Sequence, residues 1–362
     1  MTLNRRVKRL VKLAEKRGLT HVLVSRPDNV EYLTGLRTTT TPPKDYHLLL
    51  HVEDRWWELL ASPLDYGEAA EVLGKGRARK VVKASLPETL AKLLEGRRGV
   101  IGLELGCLSY SVVEEVKRRL EGWEIKDFTG VVEDLRAVKD REELELIKEA
   151  VRIAQEAFKR GLEALDVGIE EREVAARIEE AVKRLGGDGV AFDTVVGSGP
   201  RAAYPHGGAG GRRIMEGDVV VIDLGARFKG YCSDLTRTVF VGRVNQRLRE
   251  AREAVIEALE RAEDRLKAGV KASSVDRAAR STLKARGLYR FFIHGLGHGV
   301  GLSVHEKPAL SPRSHDRLAK GHVVTLEPGV YFEGLGGVRV EDMYVVGLKA
   351  ERITTLERRI DL

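Results

Sequence analysis
The 362 residues predict a two-part architecture: an N-terminal α/β domain over 1–135, then an α+β domain over 136–362 with an internal pseudo-twofold repeat. Three observations carry this reading. Up to about Thr129, short apolar runs alternate with stretches of helical spacing. Between Glu133 and Lys139 the alternation gives way to the signal of a long helix. Beyond it, one helix-then-strand pattern occurs twice.

The opening segment RRVKRLVKLAEKR (5–17), with Leu3, Val7, Leu10, Val11 and Ala14 at helical spacing, predicts an amphipathic helix with a solvated basic face. An electrostatic partner site is the alternative use of that face. HVLVS, YHLLLHV, RWWELLA, RKVVKA and RGVIGLEL read as strands, and LPETLAKLLEG and SYSVVEEVKRRL as helices, which together make a small α/β domain. In FTGVVEDLRAVKDREELELIKEA (128–150), Asp140 followed by acidic residues is an N-cap signal for the long helix.

The repeat then follows. LDVGIEEREVAARIEEAVKRLGG (165–187) matches LKAGVKASSVDRAARSTLKARGL (266–288) at a constant offset of 101 residues, with Gly168, Val174 and Gly186 falling on Gly269, Val275 and Gly287. GDVVVIDLG (217–225) aligns without a gap on GHVVTLEPG (321–329), and SDLTRTV aligns on VEDMYVV. Asp223 therefore matches Glu327, and Asp234 matches Glu341. Matching carboxylates in the two copies predict a site near the pseudo-twofold axis between them.

Composition narrows the class. With 43% hydrophobic residues the chain can bury a sizeable core. Its 62 basic and 55 acidic residues are densely mixed, whereas a nucleic-acid binder clusters its basic residues, so no nucleic-acid partner is expected. No apolar run follows the basic start as in a signal peptide, and none approaches the ~20 residues of a membrane span. A cytoplasmic location without membrane contact is the expectation. Cys107 and Cys232 lie far apart outside any CxxC pattern, which signals neither a disulfide nor a thiolate metal site. Cys232, two residues from Asp234, reads as a small buried apolar residue, with lining of the site as the alternative. Asn and Gln are scarce beside Arg, Glu and Lys, a balance typical of thermophile proteins.

Asp223, Asp234, Glu327 and Glu341 sit inside or just after apolar β-like runs, and His298 lies in HGLGHGVGLSVHEKP (294–308). A buried carboxylate is costly alone, and four brought together would repel one another and lose their charge. Two divalent cations cancel four negative charges. The oxygen-rich set suits Mn2+ or Co2+ first, with Fe2+ or Zn2+ as alternatives, rather than a thiolate-type zinc site. Taken singly, each acid also reads as a strand-edge or salt-bridged residue; the duplication argues for the set. In HGLGHGVG (294–301) the glycines read as close backbone approach around His298, since no βαβ unit with a ribose-binding acid surrounds them.

His206 in AAYPHGG and His305 in SVHEKP follow turn-like or strand-end segments and read as active-site imidazoles. In a dinuclear hydrolase a metal-bridging water attacks the scissile carbonyl, and such imidazoles stabilise the oxyanion and protonate the leaving amine. His294 reads either as a substrate contact or as a structural hydrogen-bonding group. His315, His322, His21, His47 and His51 read as surface residues. Arg339, two residues before Glu341, shares its strand face and can orient a carboxylate by a bidentate hydrogen bond, or else is an ordinary exposed strand Arg.

VVVIDLGARFKGYCSDLTRTV, HGLGHGVGLSVHE, TLEPGVYF and GGVRVED resemble the motifs of the pita-bread metallopeptidases (peptidase M24 type), the group of methionine aminopeptidase, Xaa-Pro aminopeptidase and prolidase. The likeness runs from about Val138 to Val346. It implies a creatinase-like N-terminal domain, a pita-bread catalytic domain and two divalent metal ions. By the same resemblance Asp223 binds one metal, Asp234 and Glu341 bridge the pair, and His298 and Glu327 hold the second. It makes His206, His305 and Glu327 catalytic, the histidines touching substrate or tetrahedral intermediate and Glu327 moving a proton. All five ligand positions are filled, unlike those of creatinase or of the binding-only relatives.

The N-terminal domain favours the Xaa-Pro branch, with short proline-containing peptides as substrates and a homodimer as the assembly. The alternatives are a non-proline aminopeptidase of the same fold and a non-catalytic binding protein. Some similar prolidases carry an Arg four residues after the histidine at the His305 position, reading the substrate's terminal carboxylate. Ala309 stands there in this chain, and Tyr204 replaces a commoner aliphatic residue in the substrate-binding region.

Overall fold
The structure, a computed structural model, describes residues 2–38, 40 and 43–362. It divides into two compact units, Met1–Arg136 and Ala137–Leu362.

The first unit holds helices α1 (Thr2–Lys16), α2 (Pro27–Thr34), α3 (Tyr66–Leu73), α4 (Leu86–Leu93), α5 (Tyr110–Arg119) and α6 (Val131–Ala137). Its strands β1 (His21–Val24), β2 (Tyr46–His51), β3 (Trp56–Ala61), β4 (Ala78–Lys80), β5 (Val100–Leu103) and β6 (Glu124–Asp127) form one sheet in the order β4-β3-β2-β1-β5-β6. β1, β2, β3 and β5 grow from the apolar runs, and Leu23, Leu49, Leu60 and Ile101 pack from them into a core with Leu90 and Val116 of the helices. β6, with three charged residues in EIKD, gave no apolar signal; pairing with β5 makes it a strand. His21 and His51 correct the surface expectation. They are register partners on β1 and β2, 7% and 8% exposed, because the sheet face that carries them also packs Trp123 edge-on against His21. Burial pushes the His21 imidazole down to about 4.

The second unit begins with α7 (Arg141–Ala164), whose N-cap is Asp140 as the sequence predicts, with Glu143 returning a reciprocal hydrogen bond, and α8 (Glu171–Arg184). Strands β7 (Gly189–Val190), β8 (Val195–Ser198), β9 (Val219–Leu224), β10 (Ala226–Phe228), β11 (Tyr231–Cys232) and β12 (Leu235–Phe240) complete the first half. The second half runs through α9 (Gln246–Arg265), α10 (Ala272–Ala285), β13 (Gly297–Gly299), β14 (Glu306–Leu310), β15 (Val323–Leu326), β16 (Gly329–Phe332), β17 (Gly336–Arg339) and β18 (Asp342–Val345). β19 (Glu351–Arg352) and β20 (Ile360–Asp361) close the chain.

The duplication is physical. α10 repeats the bounds of α8, and Gly168 and Gly269 before them take φ of 93° and 88°, a left-handed conformation open to glycine. β9 pairs antiparallel with β12, as β15 does with β18. Along β9, Val220, Ile222 and Leu224 pack into the core shared with α7 and α8, while Val219 and Val221 face the opposite core. Asp223 has the parity of the second set, so the strand period alone turns it away from α7 and α8.

Candidate metal centre
Four segments deliver the charged groups to one cavity of about 480 Å³: Asp223 on β9, Asp234 just before β12, Glu327 just after β15 and Glu341 just before β18, with His298 on β13. Their donor atoms fall into three overlapping trios, each within 4.8 Å: Asp234, His298 and His305; His298, Glu327 and Glu341; Asp223, Asp234 and Glu341. His298 Nδ1 lies 3.1 Å from the Gly299 carbonyl and donates to it. This leaves Nε2 facing Asp234 Oδ2 and Glu327 Oε1, at 3.5 Å each.

Electrostatics show what this cluster lacks. Burial, reinforced by Glu341, Asp223 and Glu327, drives the Asp234 carboxyl well above the usual range. Burial also raises Glu341 well above that range and pushes Glu327 up to about 8. The Arg339 guanidinium is the one permanent cation among the described residues lining the cavity, which it shares with five carboxyl groups, those of Asp193, Asp223, Asp234, Glu327 and Glu341. Asp223 Oδ1 and Glu341 Oε1 are buried without a hydrogen-bond partner. Burial and the neighbouring His305 hold His298 down to about 4, in the neutral form that ligates metal. Orphaned carboxylate oxygens beside a neutral imidazole fit hard divalent cations.

Behind the carboxylates lies a layer that the sequence reading only half found. Arg339 is buried, and its Nη2 donates to Asp223 Oδ2 at 2.5 Å, so the exposed-strand alternative fails. It orients the carboxylate through this single bond, while its Nε donates to Thr236 Oγ1 at 3.1 Å and its Nη1 to the Tyr331 hydroxyl at 3.0 Å. Thr236 in turn donates its hydroxyl to Glu341 Oε2 at 2.8 Å. The Tyr331 hydroxyl sits 2.9 Å from His294 Nε2, whose Nδ1 donates to the Gly295 carbonyl at 2.8 Å. His294 lines the cavity while serving this hydrogen-bonded chain. Thr236 and Tyr331 were missed; the signal for Thr236 was its alternation with Asp234 on one strand face.

His206 and His305 line the cavity as well, and the His305 ring stands edge-on to His298 at 4.2 Å between centroids. Tyr204 does not join them. It accepts the turn hydrogen bond from Gly207, and its ring points outward, 56% exposed, so Pro205 lines the cavity in its place. Cys232 is fully buried and outside the lining. His322, expected at the surface, is 6% exposed because its segment bridges to Val138 and its Nδ1 accepts the Ala319 N–H.

Residues 145–347 match the profile of metallopeptidase family M24, and residues 6–138 that of the creatinase/prolidase N-terminal domain. The chain belongs to metallopeptidase family M24. Over 98% of its length it is 39% identical to the Xaa-Pro dipeptidase of Pyrococcus furiosus, covering 99% of that protein. Among solved structures, the prolidase of Pyrococcus horikoshii OT3 is 37% identical with a TM-score of 0.90, over 98% of this chain and 99% of that one. The X-Pro aminopeptidase of Thermotoga maritima is 33% identical with the same TM-score and the same coverage of both chains. This M24 enzyme therefore combines a creatinase-type N-terminal domain with a pita-bread catalytic domain. Divalent metal goes with that family, and the acidic and imidazole groups above are those that could hold it. Among the described residues, no helix is long and apolar enough to cross a membrane.

Proposed function
We propose that this metallopeptidase hydrolyses the Xaa-Pro bond of short peptides with proline second, using two divalent ions, Mn2+ or Co2+, held by Asp223, Asp234, His298, Glu327 and Glu341. The observation that carries the reading is a filled acidic and imidazole cluster in a chain similar over nearly its whole length to a protein named Xaa-Pro dipeptidase. When bound, divalent ions supply Lewis acidity and an acidified nucleophilic water.

The remaining chemistry is assigned to the chain's own groups. Asp234 and Glu341 each join Asp223 in one trio and His298 in another, which supports their being shared between two ions. Glu327 faces the cavity beside His298 and takes up and returns a proton at a carboxylate oxygen. His206 and His305 bind the carbonyl oxygen as charge develops on it and protonate the leaving nitrogen, which belongs to proline and departs from the carbonyl carbon as a secondary amine.

One observation favours the aminopeptidase version. Ala309 is exposed on β14 opposite His298, its N–H donating to Asp316, and it offers no cation to a dipeptide's carboxylate. Arg339 is 3% exposed and already committed to Asp223 and Tyr331. A homodimer is part of the same proposal, and light scattering at the mass of one chain would reject it.

The test strips the protein with chelator, reloads it with Mn2+ or Co2+, and compares Xaa-Pro, Xaa-Pro-Yaa and Met-Ala-Yaa. Cleavage of the proline peptides only after reloading is expected. Preference for the unblocked tripeptide selects the aminopeptidase over the strict dipeptidase. A reloaded protein that cleaves neither proline peptide overturns the proposal.

A further inference from the structure
Pro205 and His206 reach the cavity on a loop spanning residues 198–210, and a single carboxylate holds both ends of that loop. Glu171, the first residue of α8, is fully buried. Its Oε1 accepts the Ser198 N–H at 2.8 Å and the Ser198 hydroxyl at 2.7 Å. Its Oε2 accepts the Gly210 N–H at 3.0 Å and Arg201 Nε at 2.9 Å. Arg201 then braces the interior of the loop, its Nη2 donating to the Gly208 carbonyl at 2.6 Å. Packing at Gly210 is tight: a Cβ there would sit 3.2 Å from both Glu171 Oε2 and Arg201 Nη2. Loop closure costs conformational entropy, and a carboxylate with four donors, one of them charged, is a strong means of offsetting it.

We propose that Glu171 is a positioning residue for the reaction, acting through His206. By closing the loop it holds the imidazole at the cavity. A carboxylate that only anchored α8 would need neither Gly210 nor Arg201. The inference rests on the reading that His206 works on substrate, but the clamp itself can be measured without it.

The experiment compares Glu171→Gln in the wild-type and His206→Ala backgrounds, with amide hydrogen exchange across residues 199–209. Glu171→Gln is expected to lower kcat/KM about tenfold in the wild-type background, the scale of a lost supporting hydrogen bond. In the His206→Ala background the same change should cost less than about twofold, the signature of two residues acting as one. Exchange should rise across 199–209 while Co2+ stoichiometry and the Co2+ visible spectrum hold. Equal losses in the two backgrounds, or unchanged exchange in the loop, overturn the proposal. If Glu171→Gln does not fold, Arg201→Ala, which leaves Ser198 and Gly210 on the carboxylate, must show the same pattern. A wild-type enzyme inert toward every Xaa-Pro peptide sinks the substrate reading, and the exchange measurement then decides the clamp alone.

Discussion
Asp234 illustrates the conflict at single residues in this centre. It is 5% exposed and flanked by Glu341, Asp223 and Glu327, so the metal-free fold carries it at a cost that a bound cation removes. Asp234→Ala should therefore leave the metal-free protein as stable as wild type or more so. The same variant should lose Mn2+-dependent stabilisation and at least about 100-fold in kcat/KM, since even supporting groups around a metal are worth 10–100-fold. Thermal melts with and without Mn2+ and steady-state rates check both, and near wild-type turnover would reject its proposed bridging role. Thr236 lies one step behind. Removing its hydroxyl in Thr236→Val leaves Glu341 Oε2 without its 2.8 Å donor and should weaken Mn2+ binding about 10–100-fold with the fold intact, measured by competition titration. Unchanged affinity would show that Glu341 needs no such support.

At the scale of elements, legibility followed local periodicity. β9 and β15 were readable because VVVIDL and VVTL are apolar runs rich in branched residues, and the N-cap of α7 was readable because Asp140 acts within one turn. α2 and β6 were not, since their stability comes from partners far along the chain. Glu104 is one such partner for α2: following β5, it accepts the N–H groups of Ser25 and Arg26 and the side chain of Asn29. Burial raises its carboxyl from 4.5 to about 7. Because the folded value lies above the unfolded one, its contribution is fully present below pH 4.5 and is lost as pH climbs through about 7. The loss is of the order of 3 kcal/mol at about 1.4 kcal/mol per unit. Glu104→Gln should flatten the fall in urea midpoint of the metal-free protein between about pH 5 and about pH 8. An unaltered slope would assign the pH dependence elsewhere.

For the catalytic unit as a whole, Arg237 is the tie between halves. Fully buried on β12, it donates to the carbonyls of Thr236 and Glu341, to those of Leu356 and Glu357 near the C-terminus, and to Asp342 Oδ1 at 2.7 Å. Arg237→Met strands Asp342 with Arg358 and Arg352 alone and should cost about 3–5 kcal/mol in denaturant unfolding. Adding Asp342→Leu should recover part of that loss, because it removes the Oδ1 stranded by the loss of Arg237 while Arg358 keeps Glu263. No recovery would mean that the backbone hydrogen bonds, not the ion pair, carry the tie. The sequence by itself determined the duplicated halves and the matched positions of Asp223, Asp234, Glu327 and Glu341 on which the proposed metal site rests, because apolar alternation and matched spacing are read directly along the chain. Only the tertiary structure decided which groups stand behind those carboxylates, that Tyr204 turns away, and that His21, His51 and His322 are buried. Thr236 and Glu341 are 105 positions apart, and Glu171 and Gly210 are 39 apart. Hydrogen bonds over such separations exist only once packed layers bring the strands together, and no local pattern records them.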